Sequence, residues 1–143
     1  MSTAGAQREG ASDGNGPEGG VYEWYRRGLD LLSNGDPAAA ATLLTRVAEA
    51  EPGSRSVREA LARAQYDAGR YREAVDSFGE LAAENPTDDY AHFGLGLAAS
   101  RAGDLELAAE HLALAVAMRP DLPHYERALR GVRARRSTGP GAA

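Results

Sequence analysis

Residues 94–99 read Gly-Leu-Gly-Leu-Ala-Ala and match the G-x-G-x-x-A spacing with which a glycine-rich turn binds the pyrophosphate of a dinucleotide. That chemistry requires a strand immediately before the first glycine, so that the turn points toward the ligand. No strand pattern precedes Gly94. The register of Gly96 within a longer repeat, described below, explains this glycine by helix packing instead. The sequence therefore predicts no dinucleotide site here.

The other side chains capable of catalysis or metal binding are dispersed. The three histidines, His92, His111 and His124, are far apart and include no pair at the four-residue spacing of a helical metal site. The absence of cysteine excludes thiolate chemistry, disulfides and Cys-based zinc sites. The 21 carboxylates are spread along the chain rather than paired in a cleft. We expect no enzymatic activity, no metal and no cofactor.

Composition narrows the class of protein. With 143 residues, 43% hydrophobic and 26% charged, the chain suits one soluble domain. No apolar run approaches the length of a membrane span and no leader pattern opens the chain, so we expect a cytoplasmic location. All basic residues are arginine, which indicates a GC-rich, bacterial genome. The net charge of −5 argues against general nucleic-acid binding, and only the C-terminal end is basic.

The chain contains an internal repeat, because Gly, Ala and Pro recur in register. Residues 34 positions apart are Gly35, Gly69 and Gly103, then Ala40, Ala74 and Ala108, then Pro52, Pro86 and Pro120. Such a period indicates stacked supersecondary units. With Phe78 standing between Ala74 and Pro86, the pattern resembles the tetratricopeptide repeat family over residues 21 to about 136. The resemblance implies an all-α solenoid of three antiparallel helix hairpins, wound as a right-handed superhelix, plus a capping helix.

Turn and capping signals divide the chain into seven helices. Gly35 can adopt a left-handed conformation, Asp36 and Ser54 are N-cap residues, and Pro37 suits a first helical turn. The predicted helices begin at Val21 and then span 38–50, 55–67, 71–83, 88–101, 105–118 and 122–136. We expect a disordered tail over 1–20, repeats at 21–54, 55–88 and 89–122, a capping helix at 122–136 and a frayed tail at 137–143.

Small residues are expected where paired helices approach closely. Gly28, Ala62 and Gly96 in the first helices should face Ala40, Ala74 and Ala108 in the second, beside the larger Leu44, Phe78 and Leu112. The family's large first-helix residue is present as Trp24 in the first repeat. Arg58 and His92 take its place later, which predicts looser packing there.

The resemblance also implies a binding surface. In the family, the first helix of each hairpin lines a concave groove that holds a peptide segment or helix of a partner. The matching positions are Tyr22, Tyr25, Leu29, Leu32, Glu59, Arg63, Tyr66, Asp67, Tyr90, Phe93, Leu97 and Arg101. Alternatively, some of these side chains pack against neighbouring hairpins, and the charged ones pair along their own helix.

The expected function is therefore that of a monomeric, non-enzymatic scaffold or adaptor that binds a protein or peptide. One branch of the family holds acidic C-terminal peptides through a clamp of Lys and Asn side chains. The matching positions here are Tyr25, Leu29, Ala60, Tyr90 and Gly94, none of which binds a carboxylate by charge. We expect no binding to such peptides.

A second candidate surface is the basic C-terminal helix, with Arg127, Arg130, Arg133, Arg135 and Arg136. Basic residues at a helix C-terminus complement the helix dipole and keep an exposed cap soluble. The alternative is a phosphate contact, which would make the chain an accessory RNA- or ribosome-associated protein.

Overall fold

The computed structural model describes residues 20–139, which form seven α-helices and no strand. The predicted N-terminal tail, up to residue 19, and residues 140–143 lie outside the described range. All seven predicted helices are present, with ends within two residues of prediction. They are α1 Val21–Ser33, α2 Pro37–Ala50, α3 Arg55–Asp67, α4 Tyr71–Glu84, α5 Asp89–Ala102, α6 Leu105–Met118 and α7 Pro123–Thr138.

The repeated glycines make the turns within the hairpins. Gly35, Gly69 and Gly103 have φ values of 82°, 80° and 93°, in the left-handed region that a residue with a Cβ rarely adopts. Two of the helices that follow these glycines, α2 and α6, begin with a side-chain cap: Asp36 accepts the Ala39 N–H and Asp104 accepts the Leu107 N–H. Ser54 caps α3 in the same way by accepting the Val57 N–H at 3.3 Å. Local chemistry therefore sets the helix boundaries.

The chain divides into two compact units. The N-terminal unit extends to Ala68 and contains α1, α2 and α3, with α2 packed on both other helices. A Cβ on Gly28 would lie 2.7 Å from Leu44 Cδ2, so the glycine allows α1 to approach α2 closely. The core of this unit consists of Leu32, Ala40, Ala41, Leu44, Ala60, Leu61 and Ala64.

The C-terminal unit begins at Gly69 and contains α4 to α7, packed in sequence order. A Cβ on Gly96 would lie 2.6 Å from Leu112 Cγ and 3.2 Å from the Ala108 carbonyl oxygen, as the expected close approach requires. A Cβ on Gly94 would likewise clash with the ring of Phe78, a residue that is 2% exposed. One core cluster of this unit consists of Ala99, Ala108, Ala109, Leu112, Leu129 and Val132.

The last helix is apolar on one side. Tyr125, Leu129 and Val132 are buried, and α7 packs on α6. The helix continues two residues beyond the predicted end at Arg136, and the hydroxyls of Ser137 and Thr138 both donate to the Ala134 carbonyl oxygen in this final turn.

The packing around His92 differs from the expected loose site. Its ring is 5% exposed and both ring nitrogens have partners, His111 and the Pro86 carbonyl oxygen. An imidazole fills the position well because its polar atoms are bonded.

Candidate functional site

On α1, the four predicted groove residues differ in exposure. Tyr22 is 67% exposed, whereas Tyr25 and Leu29 are partly buried and pack against the core of the N-terminal unit. Leu32 is 8% exposed and belongs to that core. Its apolar surface is used by the fold, so Leu32 is not available to a partner.

On α3, the predicted residues combine one aromatic ring with three charges. Arg63 and Asp67 are exposed, and Glu59 and Tyr66 are partly buried. Because α1 and α3 also contact one another directly, their exposed side chains belong to one surface of the N-terminal unit.

On α5, two predicted residues are exposed and rest on α4. Tyr90 is 37% exposed and meets the Phe78 ring edge-on, with ring centroids 6.0 Å apart. The Arg101 guanidinium lies 4.7 Å from the centre of the Tyr71 ring, a cation–π contact. Leu97 is partly buried against the core of the C-terminal unit.

Phe93 has a different role from its expected one, because α7 packs on its ring. The rings of Phe93 and Tyr125 are stacked, with centroids 4.3 Å apart, and His124 meets Phe93 edge-on at 5.3 Å. The Tyr125 hydroxyl donates to Asp89 at 2.6 Å, which joins the start of α5 to the start of α7. Burial and this carboxylate raise the pKa of Tyr125 well above its usual range. Phe93 therefore attaches the last helix.

A small cavity opens in the N-terminal unit beside the two predicted tyrosines of α1. Its volume is about 270 Å³. It lies between the start of α1, the end of α2 and the start of α3, and is lined by Val21, Tyr22, Tyr25, Val47, Glu51, Ser54 and Val57. The predicted groove did not include Glu51 and Val47, since a groove defined on the first helices excludes α2 and its C-cap.

The arginines of α7 fall into two groups. Arg135 donates to the Ser100 hydroxyl at 2.6 Å, and Arg136 pairs with Glu106 at 3.1 Å, so both fasten the end of α7 to the helices beneath it. Arg130 lies 3.8 Å from Glu126 on its own helix. Arg127 and Arg133 are exposed. The expected basic face is therefore divided between structural bonds and solvent.

His92 and His111 come together although 19 residues separate them. Their Nδ1 atoms are 2.9 Å apart, and His92 Nε2 lies 2.8 Å from the Pro86 carbonyl oxygen. A carbonyl only accepts, so His92 donates through Nε2 and, when neutral, accepts the His111 N–H at Nδ1. Burial lowers the pKa of His111, the Glu110 carboxylate opposes this change, and His92 adds to it.

The glycine pattern and the metal-ligand candidates do not form a dinucleotide or metal site in the described residues. The glycine pattern at 94–99 lies within α5, where both glycines admit neighbouring side chains. Within residues 20–139, no group of three or more histidine or carboxylate side chains is arranged to hold a metal ion. None of the helices in this range is long and apolar enough to cross a membrane.

The geometry thus defines an all-α helical-repeat solenoid whose first helices present aromatic and charged side chains. Two models of the family described as tetratricopeptide repeat match the chain, one over residues 59–123 and the other over 31–77. The chain belongs to the tetratricopeptide repeat family. A comparison with curated proteins found no match.

Solved structures support the same fold. MamA from Desulfovibrio magneticus RS-1, solved from its residue 41 to the end, superposes with a TM-score of 0.78 at 24% identity, covering 82% of this chain and 67% of the solved MamA chain. The first repeat domain of Spaghetti (RPAP3), bound to the HSP90 peptide SRMEEVD, gives 0.74 at 17% identity and covers 82% and 94%. PcrH, in complex with the chaperone-binding region of PopB, gives 0.64 at 18% identity and covers 80% and 92%.

Proposed function

We propose that this chain is a monomeric, non-enzymatic scaffold that binds a peptide segment or a helix of a partner protein through side chains exposed on its first helices, which are α1 and α3 in the N-terminal unit and α5 in the C-terminal unit. One observation carries the proposal. Three large hydrophobic side chains are exposed in residues 20–139, and two of them, Tyr22 and Tyr90, lie on first helices at predicted groove positions. Exposed tyrosines lose little conformational entropy on binding and are frequent interface anchors.

Charged side chains on the first helices supply orientation. Arg63 and Asp67 are exposed on α3, and Arg101 is exposed on α5. Exposed ion pairs contribute only about 0 to 1 kcal/mol each, so these residues select the direction of a bound segment more than they strengthen its binding. RPAP3 and PcrH, which share the fold, were both solved with polypeptide partners, which supports a partner of the same kind here.

The test is selection of binding peptides from a random display library on the full chain, followed by calorimetry with the selected peptides. We expect about micromolar affinity, because the exposed first-helix surface is small and the interface should lie near or below the low end of stable interfaces, about 1,200 Å². A Tyr22→Ala, Arg63→Ala, Tyr90→Ala variant should lose at least about tenfold in affinity.

A matched variant on the second helices controls for nonspecific effects. Thr42, Glu80 and Leu114 are exposed on α2, α4 and α6, and Leu114 is an exposed apolar side chain comparable to the tyrosines. The Thr42→Ala, Glu80→Ala, Leu114→Ala variant should bind as the wild type does. If this control lost binding and the first-helix variant kept it, the binding surface would lie on the second helices and the proposal would be wrong.

A further inference from the structure

The cavity beside α1 has the chemistry of a site for one cationic side chain. Tyr22 and Tyr25 lie one turn apart on α1, and both residues line the cavity. Val47 and Val57 are 0% and 5% exposed and form an apolar floor. Aromatic rings beside an apolar floor suit a ligand with an aliphatic stem and a cationic tip, since the face of an aromatic ring attracts a cation.

Glu51 supplies the one formal charge on the cavity lining. It is exposed at the C-cap of α2, and its carboxylate makes no salt bridge or side-chain hydrogen bond to any residue between 20 and 139. The Ser54 hydroxyl in the same lining already accepts the Val57 N–H. The carboxylate is therefore the strongest acceptor left for an incoming donor.

The volume sets the size of the ligand. Sites for small molecules usually exceed about 300 Å³, and this cavity has about 270 Å³. It is too small for a helix and suits one long side chain. A guanidinium fits best, because it is planar, stacks on aromatic faces and pairs with a carboxylate through two N–H groups.

We infer that this cavity, named here the Tyr22–Glu51 pocket, binds an arginine side chain of the partner polypeptide. The inference rests on the proposed function and extends it, because it specifies one residue that the bound segment carries. The guanidinium lies against the tyrosine rings and donates to Glu51, while the aliphatic stem covers the valines. The pocket thus selects a basic segment, the opposite of the acidic peptides that a clamp of Lys and Asn side chains binds.

The test uses two amino-acid probes and NMR titration of the full chain. N-acetyl-arginine methylamide carries the guanidinium, and N-acetyl-citrulline methylamide is its neutral isostere. We expect the arginine probe to bind with a Kd of about 1 mM, shifting the ring signals of Tyr22 and Tyr25 and the amide signal of Glu51. The citrulline probe should bind at least about fivefold more weakly, because its ureido group is uncharged and its hydrogen bonds to the carboxylate lack charge assistance.

Two substitutions at the end of α2 distinguish binding in the pocket from a general attraction of the cationic probe to acidic residues. Glu51→Gln should remove the preference for arginine over citrulline. Glu49→Gln should keep it, since Glu49 is an exposed carboxylate of the same helix outside the lining. On α1, Tyr25→Phe should retain binding and Tyr25→Leu should weaken it, because only the former keeps the aromatic face.

The outcomes are decisive in both directions. Equal binding of the two probes, equal effects of the two Glu substitutions, or probe-induced shifts confined to other residues would overturn the inference. If this occurred while the selected peptides still bound through Tyr22, Arg63 and Tyr90, the proposed function would stand and the pocket would not. If no peptide could be selected while the arginine probe behaved as expected, the pocket would stand and the broader function would fall.

Discussion

Buried His92 and partly buried His111 form a bond that depends on protonation. His92 donates to the Pro86 carbonyl oxygen and accepts from His111, whose Nδ1 lies 2.9 Å from its own. The ring planes differ by 12° and the centroids are 5.1 Å apart, so the rings meet through their nitrogen edges rather than face to face. If both rings were protonated, two N–H groups would point at one another and the bond would be lost. The pair therefore favours a state with no more than one positive charge.

This arrangement predicts that stability declines in mild acid. The pKa of His111 lies below its ordinary value of 6.5, so between the two values the unfolded chain binds more protons than the folded one. The free energy of unfolding should fall as the pH drops from about 6.5 through the folded pKa, and this contribution should level off below it. Urea denaturation at a series of pH values measures this slope.

Single substitutions test whether the pH dependence of the free energy of unfolding comes from His92 and His111. His111→Gln should flatten it, because the titrating ring is gone while a side-chain N–H remains to donate to His92. His124→Gln should leave it unchanged, since His124 is the exposed histidine of the chain. A slope that survived in the His111 variant and disappeared in the His124 variant would contradict the assignment.

Two glycines within helices differ in their surroundings, because Gly96 is closely packed and Gly131 has open space around it. Substitutions to alanine should therefore have opposite effects on stability. Gly96→Ala should lower the free energy of unfolding by about 1 to 3 kcal/mol, because its Cβ would meet Leu112 and the Ala108 backbone. Gly131→Ala should raise it by up to about 1 kcal/mol, since Gly131 lies in α7 with nothing within 4 Å of its Cβ position. Denaturation midpoints of both variants provide the measurement. Equal changes in the two midpoints would mean that helix propensity alone determines the effect of each substitution, and that α5 and α6 are not closely packed at Gly96.

At the scale of the elements, helix boundaries were predictable from sequence and exposure was not. Gly35 and Ser54 determine turns and caps through bonds to residues close in sequence, so their positions could be read directly. The burial of Leu32 depends on packing with other helices. Phe93 is covered by Tyr125, a residue from a helix two elements away, and no spacing within α5 indicates this contact. Candidate site residues chosen by helical register therefore mixed surface and packing positions.

The attachment of α7 gives a prediction for this helix. Removing residues 123–143 would expose the apolar surface that Tyr125, Leu129 and Val132 cover, together with the Phe93 ring. The free energy of unfolding should fall by more than about 3 kcal/mol, given the apolar area of three buried side chains. Urea denaturation followed by circular dichroism measures the loss. Removing only residues 139–143 leaves α7 whole and should leave stability within about 0.5 kcal/mol. If the chain without residues 123–143 unfolded at the wild-type midpoint and remained monomeric, the burial of apolar surface by α7 would not stabilise the protein.

At the scale of the whole molecule, charge restricts the class of partner. The chain carries a net charge of −5, and Glu51 lines the cavity beside Tyr22 and Tyr25 of α1. An acidic segment approaching this surface meets like charge, whereas a basic one is attracted. The fold is shared with RPAP3, whose first repeat domain was solved with the HSP90 peptide SRMEEVD, but fold alone does not carry that recognition here.

The chain should therefore not bind SRMEEVD, and the structure shows why its first helices could not easily be converted to do so. The clamp positions of the peptide-binding branch are occupied by uncharged side chains, including Tyr25 and Ala60. At Gly94, even a Cβ would clash with the Phe78 ring, so an asparagine there would displace a buried aromatic side chain. Calorimetry with SRMEEVD should give no measurable heat at concentrations where the RPAP3 domain, as the positive control, is saturated. A peptide in which lysine replaces each Glu and Asp should bind more tightly than SRMEEVD, and salt should weaken that binding. Low-micromolar binding of the acidic peptide would mean that these first-helix positions recognise carboxylates by some other means, and the assignment of the binding surface by register would have to be abandoned.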